Sequence, residues 1–224
     1  MKIKIGKIVG CLIVALGLLG IYSPINVLAY TKPHSTVNMD KLINQPNILP
    51  DMVKGQVNAP VTIIEYGSLT CSYCGVFFLS VYPQIQKKYI DTGKVKLIFR
   101  EFPLDPFSTA ASMVARCAAP KDYFSVIDTF FTNQQQWLTA GPEQARDYIF
   151  RVAAKYGLDK QKTLSCFDNK DILDKLKNGL TVAYEQFKID AAPTFVINGD
   201  LYKGALNFAE ISEIIDAHLA KVRH

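Results

Sequence analysis

Residues 65–74 read Glu65-Tyr66-Gly67-Ser68-Leu69-Thr70-Cys71-Ser72-Tyr73-Cys74, the end of an apolar segment, a short loop and a Cys-x-x-Cys pair. Two thiols at this spacing in the first turn of a helix can form a small-loop disulfide that opens and closes. The unpaired amide groups and the positive dipole end of a helix N-terminus favour an anion there. The spacing therefore predicts Cys71 as the nucleophilic thiolate and Cys74, one turn deeper, as the resolving thiol.

A Cys-x-x-Cys pair also occurs in zinc sites and in inert local disulfides. A structural zinc site needs four ligands. The remaining cysteines and the histidines are isolated along the chain: Cys11, Cys117, Cys166, His34, His218 and His224. Because they supply no second ligand pair, the sequence favours redox chemistry over a metal site, and an inert bridge remains the structural alternative.

The first 29 residues have the pattern of a secretory signal peptide. A basic start precedes an apolar run at residues 8–21, and the segment ends in Val27-Leu28-Ala29, which suits cleavage after Ala29. The apolar run is short for a spanning helix, and an uncleaved anchor is the alternative. Cleavage leaves four cysteines, an even number that suits an oxidising compartment. We therefore expect a periplasmic protein without stable membrane insertion after cleavage.

Composition and charge indicate a globular chain with no nucleic-acid partner. The 224 residues are 49% hydrophobic and 20% charged, which allows one sizeable core. The formal charge is +5, but Lys2, Lys4 and Lys7 of that excess lie in the predicted leader. The remaining chain is too weakly basic to suggest binding to nucleic acid.

The strand and helix patterns predict an α/β fold. Residues 30–58 are rich in proline and suggest an extended arm, with a short edge strand near Met52–Lys54. Residues 61–66 and 94–100 have strand patterns on either side of the cysteine helix, which implies a parallel pair with a right-handed crossover. Residues 190–204 have the pattern of a hairpin with an Asn-Gly turn, and a closing helix follows from Asn207.

A block of helical periodicity at residues 105–187 separates these strands. The predicted helices cover residues 108–118, 123–133, 142–156, 159–167 and 171–187. Cys117 and Cys166 both fall inside this block, and in an exported protein we predict a disulfide between them that braces the helices. The alternative is a pair of buried free thiols.

Glu65 is an anomaly in the first predicted strand. Period-two counting places it on the same face as Val61 and Ile63. A carboxyl group buried there without a partner would have a raised pKa and could hold or pass a proton beside the buried thiol. The alternative is a wetter face on which Glu65 is merely solvated, and the pattern alone leaves both interpretations open.

The order of these features, from about Gly55 to His224, resembles the DsbA-like thiol oxidoreductases of the thioredoxin superfamily. It comprises a strand with an acid six residues before a Cys-x-x-Cys helix, a helical insertion, and Ala-Pro-Thr-Phe leading into a hairpin and closing helix. The resemblance implies a thioredoxin-like domain at residues 59–104 and 188–224. Residues 105–187 would form the helical insertion domain.

The resemblance also implies roles for individual residues. Cys71 would attack, Cys74 would resolve, Glu65 would be the buried acid, and Pro193 would be the cis-proline that faces the disulfide. Substrate would lie against Ala192, Thr194, Ser72 and Tyr73. One departure matters, because the strongest oxidants of the family carry histidine where this chain has Tyr73. Tyrosine places no positive charge beside the thiolate, so we predict a milder oxidant.

The sequence therefore predicts an exported thiol:disulfide oxidoreductase that introduces disulfides into cell-envelope or secreted proteins. The Cys71–Cys74 pair would be its own redox centre, with no bound cofactor. The resemblance implies unfolded, cysteine-containing clients and a DsbB-like membrane reoxidase as partners. Two alternatives remain at this stage, namely a disulfide reductase or isomerase, and a redox-inert peptide-binding module with a thioredoxin fold.

Overall fold

A computed structural model describes residues 31–222 and shows a mixed sheet with helices on both faces. The predicted signal peptide lies outside the described residues. The strands are β1 (Ser35–Thr36), β2 (Met52–Lys54), β3 (Val61–Gly67), β4 (Val95–Glu101), β5 (Thr194–Ile197) and β6 (Asp200–Lys203). Their order across the sheet is β1-β6-β5-β3-β4-β2. The predicted β3–β4 pair is parallel, and the other neighbouring strands are antiparallel.

Most helices lie between β4 and β5, as the sequence predicts. The helices are α1 (Met39–Ile43), α2 (residues 72–90), α3 (Pro106–Cys117), α4 (Tyr123–Thr132), α5 (Gln134–Thr139), α6 (Pro142–Lys155), α7 (Lys160–Phe167), α8 (Lys170–Phe187) and α9 (Phe208–Val222). Helix α2 alternates α-helical turns with wider π-helical turns at Phe77–Val81 and Gln86–Ile90. Among the described residues, no helix combines the length and apolar character that a membrane crossing requires.

Side-chain caps explain where several helices begin. Asp105, Asp159 and Asn169 each accept a hydrogen bond from the amide three residues onward, which fixes the starts of α3, α7 and α8. Before α9, Asn207 and Glu210 bond to each other's amides as the sequence predicts. The predicted ends of the long helices therefore agree with the structure to within about two residues.

Strand β3 is buried on both faces, and this burial decides the position of Glu65. One face, with Val61 and Ile63, packs into the large core that α2 and α9 cover. The opposite face, with Ile64 and Tyr66, belongs to a second cluster that includes residues of α1 and α8. Glu65 consequently has no exposed surface, and the alternative of a solvated Glu65 is wrong.

The helical insertion has an aromatic core and a covalent brace. The Trp137 ring stacks on Tyr148, and its indole N–H donates to the carbonyl of Phe130 at 3.0 Å. The structure joins Cys117 at the end of α3 to Cys166 in α7 with an S–S distance of 2.04 Å. The pair that the sequence predicts therefore links two helices that the chain itself separates by 49 residues.

The N-terminal arm is more ordered than predicted. It contains helix α1, which Asn38 caps, and its strands β1 and β2 form the two edges of the sheet. A buried ion pair fastens it, because the Arg100 guanidinium donates from Nε and Nη2 to the Asp51 carboxylate at 2.8 Å each. Arg100 Nη1 also donates to the Tyr66 hydroxyl and to the carbonyl of Leu42 in α1.

Candidate active site

The two cysteines of the Cys-x-x-Cys pair lie at the start of α2 as free thiols. Cys71 is the N-cap residue, and its sulfur accepts a hydrogen bond from the amide of Cys74 at 3.4 Å. Cys71 retains 9% of its surface exposed, whereas Cys74 has none. A substrate can therefore reach Cys71 while Cys74 stays behind it, and the division between an attacking and a resolving thiol stays a prediction.

Hydrogen bonding makes the two thiols unequal acids. The bond that the Cys74 thiol donates to the Cys71 sulfur lowers the pKa of Cys71 to about 6, and the amides of Cys74 and Tyr73 act in the same direction against the effect of burial. The same bond, together with burial and the charge of Glu65, raises the pKa of Cys74. At neutral pH the reduced pair therefore holds its negative charge on Cys71.

Glu65 is a buried acid next to this pair. It lies in register between Phe99 of β4 and Phe195 of β5, and within residues 31–222 neither of its carboxyl oxygens has a hydrogen-bond partner. Burial, followed by the charge of Cys71, raises the pKa of Glu65 to about 8. The carboxyl group is thus protonated at neutral pH and can serve as a local proton store.

Replacing Glu65 with glutamine should abolish a pH dependence of stability. A native pKa of about 8 lies above the ordinary value of 4.5, so the folded state binds more protons than the unfolded state between these values. The contribution of Glu65 to the free energy of unfolding is therefore highest below pH 4.5 and falls as pH rises to 8, by about 1.4 kcal/mol per pH unit. At pH 7 this loss amounts to about 3 kcal/mol.

Urea unfolding of the oxidised protein from pH 5 to pH 8 measures the larger part of this effect, which comes from burial. Oxidation removes the titration of the cysteines and also the charge of Cys71, so the loss in the oxidised protein should be smaller than that in the reduced protein. We expect Glu65→Gln to flatten the slope that the native chain shows. Glu185→Gln removes an exposed carboxylate and should leave the slope intact. Parallel slopes for the native chain and Glu65→Gln would show that Glu65 is ionised at neutral pH.

The loop before β5 lies against the reactive sulfur. The Ala192–Pro193 peptide bond is cis, and the carbonyl of Ala192 is 3.3 Å from the Cys71 sulfur, which donates to it as a thiol. Pro193 and Thr194 are buried, and the Thr194 hydroxyl donates to the carbonyl of Ala191 at 2.7 Å. The Thr194 side chain therefore holds the loop in place and has no exposed surface, and its contact with a substrate stays a prediction.

Ser72 and Tyr73, between the two cysteines, face outward. Tyr73 has 66% of its surface exposed, and Val76 and Leu79 continue an exposed apolar strip along α2. The described part of the chain contains no cluster of three or more potential metal ligands from His, Cys, Asp and Glu. The chemistry available at this site is thiol exchange next to an apolar surface.

Three side chains that sequence reasoning missed hold the loop at residues 68–71, and all belong to the helical insertion. The Ser108 hydroxyl bonds to the Ser68 hydroxyl at 2.8 Å and accepts from the amide of Leu69. The Asp105 carboxylate accepts from the hydroxyl of Thr70, and Gln134 donates to two loop carbonyls. The only sequence signal among them is the helix cap at Asp105.

Comparisons with known proteins agree with this geometry. A family model described as thioredoxin matches residues 48–217. The disulfide bond formation protein D of Bacillus subtilis is 29% identical over 80% of this chain and 82% of its own length. A relative from Rickettsia conorii is 27% identical over 75% of this chain, but the chain spans only 60% of that protein's length.

Solved structures show the same fold. The α-DsbA1 of Wolbachia pipientis is 32% identical and superposes with a TM-score of 0.73, covering 83% of this chain and 97% of that one. The oxidised BdbD of Bacillus subtilis is 21% identical and superposes with a TM-score of 0.67, covering 85% of this chain and all of that one.

Proposed function

Since this chain belongs to the DsbA-like members of the thioredoxin family, we propose that it oxidises thiols of other proteins through its Cys71–Cys74 disulfide. The observation that carries this proposal is the inequality of the two thiols. A slightly exposed, acidic Cys71 in front of a fully buried Cys74 is suited to accept a client and then release it. The products would be disulfides in exported proteins.

The proposed reaction consists of two exchanges. A client thiolate attacks the Cys71 sulfur of the enzyme disulfide, the Cys71–Cys74 bond breaks, and Cys74 leaves with the electron pair. A second client thiolate then attacks the client sulfur of the mixed disulfide, and Cys71 leaves as a thiolate. The client loses two electrons and gains a disulfide, and the enzyme is left with a Cys71 thiolate and a Cys74 thiol.

Glu65 would supply the proton that this balance requires. Cys74 leaves as a thiolate in a buried site where its pKa is raised, so it must be protonated at once. Glu65 is neutral at pH 7, and it lies close enough to Cys74 that its ionised form would raise the pKa of that thiol. In reoxidation Glu65 would accept the proton of Cys74 after first releasing its own proton to solvent, since only the ionised carboxylate can act as a base.

The surface next to Cys71 supports an unfolded protein as the client. Tyr73, Val76 and Leu79 are each more than half exposed on one strip of α2. Exposed apolar patches of this kind commonly mark interaction sites. A disordered segment that carries a cysteine could lay its apolar side chains there while its sulfur meets Cys71 beside the carbonyl of Ala192.

The proposal extends to compartment and partners. Disulfide donation needs an oxidising environment, so the predicted signal peptide and a periplasmic location fit the chemistry. The clients would be cysteine-containing proteins of the cell envelope or secreted proteins. A DsbB-like membrane protein would regenerate the disulfide by taking two electrons from the Cys71–Cys74 dithiol.

The reduction potential of the Cys71–Cys74 pair tests the proposed direction of exchange. A Cys71 pKa of about 6 in place of about 8.5 stabilises the reduced form at pH 7 by about 1.4 kcal/mol, which raises the potential by about 30 mV. We expect a value above that of thioredoxin, about −270 mV, and below the about −120 mV of DsbA.

Equilibration of the purified protein with glutathione, followed by mass mapping of the cysteine peptides, gives the potential of this pair alone. A value at the level of thioredoxin would favour a reductase or isomerase. No exchange under any glutathione ratio would leave a peptide-binding module with a structural cysteine pair.

A further inference from the structure

Gln134 connects the helical insertion to the loop that carries the reactive thiol. It is the first residue of the short helix α5, and 8% of its surface is exposed. Its side-chain nitrogen Nε2 donates two hydrogen bonds, each 2.9 Å long, to the carbonyls of Leu69 and Cys71. One amide group therefore fastens the loop at two points, one of which is the backbone of the nucleophile itself.

The first turn of α2 is shaped to receive this amide. A side chain at Gly75 would collide with Oε1 of Gln134, so the glycine allows the helix to lie directly against the amide group. The amide of Gly75 also donates to the carbonyl of Cys71 at 3.0 Å. Gln134 and the first helical hydrogen bond thus converge on the same oxygen, which fixes the direction of the Cys71 peptide group.

We propose that Gln134 is a positioning residue that holds the Cys71 sulfur at the N-terminus of α2 and thereby favours its thiolate form. This inference rests on the proposed redox role of Cys71. The Cys71 sulfur interacts with the amides of Cys74 and Tyr73 only while the loop at residues 68–71 keeps its present conformation at the start of α2. Without the two hydrogen bonds from Gln134, the loop at residues 68–71 loses its contact with α5. The Cys71 sulfur then moves away from the two amides.

Gln134→Met tests the proposal, because methionine keeps the volume and removes both donors. Gln135→Met is the matched control, since Gln135 is the exposed neighbour on the same helix. The readout is the pH dependence of alkylation at Cys71, followed by mass spectrometry of its peptide. One hydrogen bond is worth roughly half to one pKa unit, so we expect the midpoint to rise by that amount in Gln134→Met. At a pH below both midpoints, Cys71 of Gln134→Met should be alkylated about three to ten times more slowly than Cys71 of the native chain.

Two outcomes would overturn the role of Gln134. The first is a midpoint in Gln134→Met equal to that of the native chain and Gln135→Met, whatever the change in stability. Should Gln134→Met fail to fold, the side-chain amide resonances of Gln134 in the native protein decide. In NMR spectra recorded across pH, their chemical shifts should change with the same midpoint as the alkylation of Cys71. The second contrary outcome is that these chemical shifts do not change with pH.

The alkylation assay uses neither a client nor a reoxidase. Its result therefore stands even if the reduction potential points to a reductase, and the two proposals can fail separately.

Discussion

Cys74→Ser should trap a covalent complex with a peptide disulfide, whereas Cys71→Ser should form none. The probe is a short peptide whose single cysteine is joined to glutathione. The Cys71 thiolate attacks this disulfide, one thiol leaves, and a mixed disulfide with Cys71 remains. With the buried thiol replaced there is no internal sulfur to attack it, so the complex should approach one peptide or glutathione per chain. Intact-mass spectrometry would show the added mass.

The pH dependence of the rate at which the mixed disulfide forms shows which hydrogen bond lowers the pKa of Cys71. The rate should rise about tenfold per pH unit below the Cys71 pKa of about 6 and level off above it. Serine at position 74 can still donate to the Cys71 sulfur, but alanine cannot. Because this bond is the largest cause of the lowered pKa, Cys74→Ala should show a higher midpoint than Cys74→Ser.

Covalent exchange that persists at Cys74 in Cys71→Ser would contradict the burial of Cys74. Ser80→Ala serves as the control, because it alters an exposed residue of α2 outside the Cys-x-x-Cys pair and keeps both thiols. If native function survived in Cys71→Ala, the redox role would have to be abandoned for a peptide-binding one.

The second large effect is a loss of stability when the Cys117–Cys166 disulfide of the helical insertion is removed. Replacing both Cys117 and Cys166 with alanine opens a loop whose ends are 49 residues apart. On the chain-entropy account, the bridge contributes about 4 kcal/mol by restricting the unfolded chain. Urea unfolding of the double variant should therefore show a free energy lower by about that amount.

The same double variant should leave the alkylation midpoint of Cys71 unchanged, because the brace takes no part in the exchange. The control for stability is native chain in which the Cys71–Cys74 pair is reduced and a peptide map shows that the Cys117–Cys166 bridge is intact. An unfolding free energy equal to that of the native chain, together with two free thiols in a non-reducing peptide map, would contradict the bridge.

Periodicity and spacing were sufficient for the elements that make up the fold. Strands β3 and β4 and the long helices α3, α4, α6, α7 and α8 have apolar patterns that persist over many residues, and several begin at recognisable caps. The Cys-x-x-Cys spacing located the reactive pair for the same reason, since local geometry suffices to bring those thiols together.

Periodic sequence patterns could not predict the short helices or the tertiary contacts. Helix α5 begins in a run of three glutamines with no apolar period, so nothing marked it as a helix or Gln134 as a residue of the site. Helix α1 has five residues, too few for a periodic signal. The sequence left the state of Glu65 open, because only the packing of helices on both faces of β3 decides its burial.

The buried ion pair between Arg100 and Asp51 sets a limit on where the polypeptide can be cut. A fragment that begins at β3 would lose the carboxylate that neutralises Arg100, the Leu42 carbonyl beside it and strand β2 next to β4. An uncompensated buried charge costs several kcal/mol, a large part of the stability of a small domain. We therefore expect the smallest autonomous folding unit of this chain to begin upstream of Asp51, within the segment that the sequence predicts to be an extended arm.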